Sequence, residues 1–236
     1  MEFALNPALD PAALAREFAE RGRLSIADVL TTGSAEALHL HLRQRDDWML
    51  VVNSGDKLVE LDRQTRAGLS GAQTRILDEA VYNGARYGFQ YRYESLRVPD
   101  DEPARAARDD LLARFARWWS GGEAREFLRI VTGAPDIAFA DAQATAYSPG
   151  DFLTGHDDDV EGKGRVAAYV LNLTLQWRTE WGGLLLFPDA TGARAEAFIP
   201  GFNRLSLLRV PQQHSVSEVT RSAACRRYAI TGWLRR

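Results

Sequence analysis

From about residue 137 to its end, the chain is a succession of short strand-like runs such as "RVAAYVLNLTL", "GGLLLFPD" and "RYAITGWLRR". Turn-rich pieces such as "SPGD", "PDATGA" and "IPGFN" separate these runs. Several short strands at this spacing predict a β sandwich or a β barrel. No internal repeat or flexible linker interrupts the sequence, so we expect the β half to pack with the rest of the chain as one unit.

Residues 1–135 are predicted to be mainly helical and to support a β core formed by residues 136–236. Asp10-Pro11 has the pattern of a helix start, with a capping acid before a proline. Two exceptions are expected within the first half. A hairpin is predicted around Ser54-Gly55-Asp56, and a strand in "YGFQYRY", where aromatic residues from Tyr87 to Tyr93 alternate with other residues.

Composition limits the classes of function. Of 236 residues, 45% are hydrophobic and 26% are charged, which is typical of a globular protein with a real core. The formal net charge of −3 disfavours nucleic acid as a partner, because phosphate neutralisation needs a basic surplus. The sequence has neither a secretion signal nor the roughly 18 consecutive apolar residues of a membrane span, so we expect a cytoplasmic protein without a membrane partner. The single cysteine, Cys225, excludes an internal disulfide, and we expect it to be buried in a strand.

His156 is followed directly by three aspartates, Asp157 to Asp159, in "TGHDDDVEGKG". A solvated acidic turn would explain this stretch, but a second histidine, His214, follows another strand-like run. Two imidazoles and one carboxylate on neighbouring strands can occupy one face of a metal's octahedron, as in non-haem iron oxygenases. Strand alternation places Asp158 on the side of His156, which selects it among the three aspartates. The other two histidines, His39 and His41, are expected to be surface or packing residues.

Five segments in order, "YSPGDFLTGHDD", "YVLNL", "EWGGLLLFPD", "HSVSEV" and "RRYAITGW", resemble the prolyl 4-hydroxylase-like family of Fe(II)/2-oxoglutarate-dependent dioxygenases. The resemblance covers about residues 141–236. It implies an α+β fold, in which a double-stranded β-helix, a jelly-roll or cupin-like barrel, is braced by N-terminal helices. It also implies Fe(II) as cofactor, 2-oxoglutarate and O2 as co-substrates, and possible use of ascorbate as a reductant.

The resemblance assigns roles to individual residues. His156, Asp158 and His214 match the iron ligands, while Arg227, Thr231 and Tyr147 match contacts to 2-oxoglutarate. Alternation along "RYAITGW" independently places Arg227 and Thr231 on one strand face, where both can point at one carboxylate. The alternative for Arg227 is an exposed charge in a basic C-terminal segment.

Some features depart from the family pattern or concern the substrate. The segment between His214 and Arg227 is longer than in many members, and Val170 replaces a tyrosine that often contacts the co-substrate. Arg165 occupies a strand position that faces the substrate opening in relatives. Tyr91 and Tyr93 could line a groove for an apolar ring, although aromatic stripes on strands more often belong to the core.

The resemblance implies hydroxylation of an unactivated C–H bond, with a prolyl residue of a peptide or protein as the favoured target and succinate and CO2 as products. Hydroxylation of a free amino acid or another small metabolite is the first alternative. The others are a non-catalytic cupin-like module that binds a metal or small anion, and an interaction protein in which the barrel is a scaffold. The sequence leaves the oligomeric state open.

Overall fold

The computed structural model describes residues 2–55 and 57–236, and a large antiparallel sheet forms its centre. In the first half of the chain the strands are β1 (Arg23–Ile26), β2 (Met49–Ser54), β3 (Lys57–Leu61) and β4 (Tyr91–Arg97). In the second half they are β5 (Phe139–Ala140), β6 (Gln143–Tyr147), β7 (Phe152–His156), β8 (Arg165–Asn172), β9 (Leu185–Pro188), β10 (Ala195–Phe198), β11 (Arg204–Arg209), β12 (His214–Val216) and β13 (Arg227–Arg235).

The helices precede most of the strands in the sequence. They are α1 (Pro11–Arg21), α2 (Thr32–Gln44), α3 (Arg63–Ala67), α4 (Gly71–Tyr87), α5 (Glu102–Ala106), α6 (Leu111–Trp119) and α7 (Gly122–Thr132), and a 3-10 turn spans Thr179–Trp181. As the sequence predicts, the Asp10 carboxylate caps α1 by accepting hydrogen bonds from the next backbone N–H groups. None of the described helices is long and apolar enough to cross a bilayer.

The strand order is β1-β11-β8-β13-β6-β4-β7-β12-β9-β10. Strands β11, β8, β13 and β6 form one layer, and β7, β12, β9 and β10 form the other. Apolar residues of both layers meet in one cluster, with Tyr147 and Leu208 from the first and Phe187 and Val216 from the second. The predicted double-stranded β-helix is confirmed. Strand β4 joins the layers, since its first residues pair with β7 and its later ones with β6.

The two ends of this curled sheet, β1 and β10, meet through side chains. Glu196 on β10 accepts a hydrogen bond from Nε of Arg23 on β1 at 2.7 Å, and it also pairs with Arg21 at the end of α1. We call this contact the Glu196 closure. One side of the barrel is therefore closed by backbone hydrogen bonds through β4, and the other by ion pairs.

The helices cover the outer face of the layer that contains β8 and β13. The buried aromatic rings of Phe115 and Trp119 on α6 lie in the same core cluster as Tyr169 and Leu171 of β8 and Ile230 of β13. The neighbours of these strand residues, such as Ala168 and Thr231, point into the barrel instead. Helical bracing of the barrel is thus confirmed, and the inner face of the strands is left free for a site.

Several predictions need correction or stay untested. Tyr87 does not extend the aromatic strand, because α4 continues to this residue and leaves its side chain exposed. Cys225 is exposed and precedes β13 rather than lying buried within a strand. The predicted hairpin exists as the β2–β3 pair, but Asp56 lies outside the described residues. The division at residue 135 stays a prediction; strands from the first half join the same sheet.

Candidate metal centre and co-substrate pocket

The pairing of β7 with β12 brings two histidines together. His156 is the last residue of β7, His214 is the first of β12, and the two are direct partners in the antiparallel register. Their ring centroids are 4.1 Å apart. The register of β7 against β12 therefore makes neighbours of two histidines that are distant in sequence. The sequence shows two strand-like runs but not how they pair.

Asp158 completes the group. One carboxylate oxygen lies 3.6 Å from Nε2 of His156 and the other 3.4 Å from Nε2 of His214. Strand alternation is the wrong reason for this placement, since β7 ends at His156. Asp158 instead adopts a left-handed backbone with φ of 65°, which turns its side chain back toward the imidazoles. The neighbouring carboxylates do not join this group: Asp157 accepts a hydrogen bond from Gln213, and Asp159 is exposed.

Backbone carbonyls fix the orientation of both imidazoles. Nδ1 of His156 lies 3.0 Å from the Thr154 carbonyl oxygen, and Nδ1 of His214 lies 2.8 Å from that of Gln212. A carbonyl oxygen can only accept, so each Nδ1 carries the hydrogen and each Nε2 keeps a free lone pair. Burial, and then the neighbouring His156, lower the pKa of His214, which favours the neutral imidazole.

These donors suit a transition metal. The three side chains offer two imidazole nitrogens and a carboxylate oxygen within 4.8 Å of one another. Such a set fits the ligand pattern of non-haem Fe(II), in which three positions stay open for other ligands. The open side faces a cavity of about 470 Å³ that the same three residues help to line.

This cavity collects the candidate residues from the sequence. Its wall includes His156, Asp158, His214, Arg227, Thr231, Tyr147, Arg165, Tyr91 and Tyr93. The register explains part of this, because Arg227 on β13 is paired with Tyr147 on β6, and Thr231 with Val170 on β8. Apolar side chains such as Leu185, Leu208 and Val216 complete the inner surface.

Arg227 is a buried cation without a matching anion. Its exposed fraction is 2%, and it makes no ion pair with a carboxylate anywhere in the described ranges 2–55 and 57–236. Nη2 donates to the neutral amide oxygen of Asn172 at 3.1 Å, while Nε has no hydrogen-bond partner. Desolvation lowers the pKa of Arg227, and Tyr147 opposes this shift. A guanidinium in this state provides a site for a carboxylate.

A close backbone approach makes room for this guanidinium. Gly183, in the "EWGG" segment, has φ of 62°, and a Cβ there would lie 3.3 Å from Cδ of Arg227 and 3.1 Å from Val219. An L side chain would therefore be strained and would crowd the arginine. The resemblance included this segment but gave no role to its glycine.

Two polar residues around Arg227 and Thr231 were not predicted. Asn172 is on the barrel-facing side of β8, two residues after Val170, and orients Arg227. Gln143 on β6 is paired with Thr231 and donates a hydrogen bond to its hydroxyl at 3.4 Å. Alternation along "YVLN" and "QATAY" could have placed both residues on the inner face.

Aromatic rings line one wall from Arg227 toward the opening. Tyr147 stacks on Tyr93 with centroids 5.1 Å apart, and Tyr93 contacts Tyr91 at 5.6 Å. Burial raises the pKa of Tyr93 to about 12 and that of Tyr147 well above its ordinary value. Both phenols therefore stay protonated, and that of Tyr147, whose ring centroid lies 5.2 Å from the Arg227 guanidinium, can donate a hydrogen bond near Arg227.

Arg165 lies beside the metal ligands. Its guanidinium covers the Trp233 ring at 3.6 Å, and Nη1 donates to the backbone carbonyl of Asp158 at 2.9 Å. Desolvation lowers the pKa of Arg165, and the Asp158 carboxylate opposes this shift. Arg165 thus forms part of the cavity wall next to the proposed substrate opening.

Comparison with known families identifies the barrel. Residues 142–235 match the family model described as the 2OG-Fe(II) oxygenase superfamily, where 2OG is 2-oxoglutarate. These residues form a 2OG-Fe(II) oxygenase domain. The family that this model describes uses Fe(II), 2-oxoglutarate and O2, and the matched residues include all three metal-ligating side chains. Among curated protein sequences, none matches the chain.

Solved structures share the fold of this chain at low sequence identity. A Pseudomonas putida prolyl-4-hydroxylase is 20% identical, with a TM-score of 0.58 over 96% of this chain and 99% of that one. A Trichoplax adhaerens prolyl hydroxylase, in complex with a hypoxia inducible factor peptide fragment, is 17% identical, with a TM-score of 0.58 over 95% and 88%. The 2-oxoglutarate-dependent epimerase SnoN from nogalamycin biosynthesis is 13% identical, with a TM-score of 0.58 over 95% and 83%.

Proposed function

We propose that this protein is a 2-oxoglutarate-dependent dioxygenase that hydroxylates an unactivated C–H bond of a prolyl residue in a peptide or protein. In this proposal His156, Asp158 and His214 bind Fe(II), and Arg227, Thr231 and Tyr147 bind the far carboxylate of 2-oxoglutarate. The observation that carries it is the buried Arg227, which has no carboxylate partner within the described ranges and shares a cavity with the three metal-ligating side chains.

When bound, Fe(II) and 2-oxoglutarate supply the oxidative chemistry, in which one oxygen atom of O2 enters the C–H bond and succinate and CO2 are released. The residues of the chain provide binding and orientation. Arg227 offers a guanidinium fork to the far carboxylate, and the protonated Tyr147 offers a further donor. Carbonyls of Thr154 and Gln212 hold the imidazoles in place before the metal binds.

The apolar wall excludes water from the reacting atoms. Leu185, Leu208 and Val216 surround the inner part of the cavity, so the charges there act in a medium of low polarity. Each contact of Arg227 with the co-substrate carboxylate is worth about 1.5–3 kcal/mol as a charged hydrogen bond. The same wall leaves an apolar space beside the metal for the substrate C–H bond.

The prolyl assignment rests on the chemistry of the outer wall. Tyr91, Tyr93 and Trp233 line the cavity with aromatic side chains, which suit an apolar pyrrolidine ring. Arg165, Tyr91 and Tyr93 are the proposed substrate contacts. The two prolyl hydroxylases of similar fold, one of them bound to a peptide fragment, agree with this choice.

A free amino acid or another small metabolite is the second candidate substrate. The cavity of about 470 Å³ has the size of a small-molecule site and could enclose such a substrate whole. The epimerase among the similar structures carries a different 2-oxoglutarate-dependent activity on this fold. The cytoplasmic location and the use of ascorbate stay predictions.

An anaerobic titration tests the proposed site. Fe(II) and 2-oxoglutarate are added to metal-free protein, and the weak visible charge-transfer absorption of the chelate is recorded for wild type, Asp158→Ala and His214→Ala. We expect the absorption in wild type alone. If wild type binds the metal without it, the protein is a binding module. Succinate release with proline-containing peptides and with free amino acids then separates the two substrate classes.

A further inference from the structure

A second cavity lies on the opposite face of β4 from the metal centre. Along this strand Tyr93 and Ser95 line the cavity of the candidate metal centre, whereas Arg92 and Glu94 point to the other side. The space there measures about 450 Å³ and lies between α3, α4, β2 and β4. Its lining residues are Leu50, Arg63, Arg66, Ala67, Leu69, Thr74, Leu77, Asp78, Arg92 and Glu94. We call it the arginine cavity.

The acidic groups of this region are already engaged. Glu94 is 5% exposed and is shared between Arg66, at 2.5 Å, and Arg226. Arg92 pairs with the carboxylate of Asp78 at 2.5 Å, and its Nε lies 3.2 Å from Asp151. Each carboxylate in or directly behind the arginine cavity therefore contacts at least one arginine.

Arg63 adds a further positive charge. It lines the arginine cavity, is exposed, and has no ion-pair partner in the part of the chain that the structure describes. The positive charges therefore outnumber the negative ones by one. The arginines are Arg63, Arg66, Arg92 and Arg226, and the carboxylates are Asp78, Glu94 and Asp151. Burial lowers the pKa of Arg66, the charge of Asp151 opposes this shift, and the charge of Arg92 adds to it. Burial lowers the pKa of Arg226, Tyr228 opposes this shift, and the charges of Arg63 and Arg66 lower the pKa further.

We propose that the arginine cavity binds a small molecule that carries a phosphoryl group. Arginine forks recognise phosphate through paired N–H donors, and a negatively charged phosphoryl group offsets the one excess cation. The space is larger than phosphate alone, and Leu50, Leu69 and Leu77 supply an apolar wall on which an organic part of the ligand can pack. This site is separate from the proposed 2-oxoglutarate contact at Arg227, which lies within the barrel.

Inorganic phosphate and phenyl phosphate are the probes. Each is titrated by calorimetry, at constant ionic strength, into the protein of residues 1–236 as wild type and as three variants. Arg63→Gln removes a cation of the cavity without breaking an ion pair. Arg86→Gln removes an exposed cation from α4 outside the cavity and is the matched control. Arg227→Gln reports phosphate bound in the barrel.

We expect saturable binding that weakens about fivefold or more in Arg63→Gln, with wild-type affinity in Arg86→Gln and Arg227→Gln. Tighter binding of phenyl phosphate than of inorganic phosphate supports an organic phosphate as the ligand, and equal binding supports free phosphate. The proposal is overturned by the lack of saturable binding in wild type, by equal weakening in Arg63→Gln and Arg86→Gln, or by loss in Arg227→Gln alone. None of these results depends on the oxygenase assay.

Discussion

The amide oxygen of Asn172 accepts a hydrogen bond from Nη2 of Arg227 at 3.1 Å, which orients the guanidinium without neutralising its charge. Both side chains are almost fully buried, with exposed fractions of 3% and 2%. A carboxylate at position 172 would make the same contact and also satisfy the charge. The choice of a neutral partner therefore keeps Arg227 available for an anion from outside the chain.

The variant Asn172→Asp tests this relationship. We expect its affinity for 2-oxoglutarate to fall about tenfold or more, because an internal carboxylate would compete for Arg227. Asn172→Ala is the control, since it removes the hydrogen bond but adds no charge, and it should lose less affinity. Anaerobic titration of the Fe(II)-loaded protein measures both. Equal affinity in Asn172→Asp and wild type would contradict the role of Arg227.

The metal ligands can be tested with neighbouring aspartates. Asp158→Asn should weaken divalent-metal binding about tenfold or more, because a carboxylate beside two imidazoles is replaced by a neutral amide. Asp157→Asn should bind the metal as wild type does, since its carboxylate contacts Gln213 instead. Mn(II) titration followed by electron paramagnetic resonance measures binding without turnover. An equal loss in both variants would show that local charge, rather than coordination by Asp158, is responsible.

Gly183→Ala should affect both stability and co-substrate binding. The added Cβ would be 3.3 Å from Cδ of Arg227, and the backbone of Gly183 is left-handed with φ of 62°. We expect about 1–3 kcal/mol of lost stability from backbone strain and a weaker affinity for 2-oxoglutarate. Gly192→Ala is the control. Gly192 also has a left-handed backbone, with φ of 68°, but a Cβ there would have no atom within 4 Å, so this variant tests backbone strain without crowding. Urea unfolding measures the loss of stability in both variants, and 2-oxoglutarate titration measures the effect of crowding. Wild-type affinity for 2-oxoglutarate in Gly183→Ala would refute the crowding of Arg227.

Buried Asp151 predicts a pH dependence of stability. Burial raises its pKa to about 6, against opposing hydrogen bonding from the Ser148 N–H and the charge of Arg92. The folded state thus holds this proton more tightly than the unfolded state, in which an aspartate has a pKa of about 3.9. The contribution to stability is fully present below that unfolded-state value and is lost as pH rises through about 6.

Asp151→Asn removes this titration. Between about pH 4 and 6, the free energy of unfolding of wild type relative to the variant should fall with rising pH, by up to about 1.4 kcal/mol per pH unit. Urea unfolding of the two proteins across this range measures the difference. A difference that is constant with pH would contradict the raised pKa.

Tyr91→Ala tests the aromatic wall. The variant should raise KM for a peptide substrate several-fold, by about 1 kcal/mol of lost contact, with little change in the affinity for 2-oxoglutarate. Tyr87→Ala is the matched control, because Tyr87 is 85% exposed on α4 and does not line the cavity. Equal kinetics in the two variants would remove Tyr91 from the proposed substrate contacts.

The sequence was informative where side-chain chemistry and strand alternation coincide. Arg227 and Thr231 lie on the barrel-facing side of β13, as alternation predicted, and the ordered motifs pointed to the correct fold. Asp158 was placed beside His156 for the wrong reason, because a left-handed residue after a strand leaves no periodic signal. The same alternation places Asn172 and Gln143 on the inner face of the barrel, but neither residue belongs to a motif that indicates a role in the site.

Contacts between distant segments could not be predicted. The pairing of β4 with both β6 and β7 depends on a bend of the whole sheet, and nothing near Tyr91 in sequence specifies it. The arginine cavity likewise unites residues from β2, α3, α4 and β4. Composition shows an excess of acidic over basic residues along the chain and gives no sign of this local excess of arginine.

The Glu196 closure gives the barrel two unlike sides. Ion pairs between exposed or half-buried groups weaken as salt increases, whereas a backbone ladder is largely insensitive to it. Rising ionic strength should therefore loosen β1 from β10 while β4 keeps the two layers together. The side of the barrel opposite β4, where β1 meets β10, is then its most flexible part. Thermal fluctuations that widen the barrel will begin there.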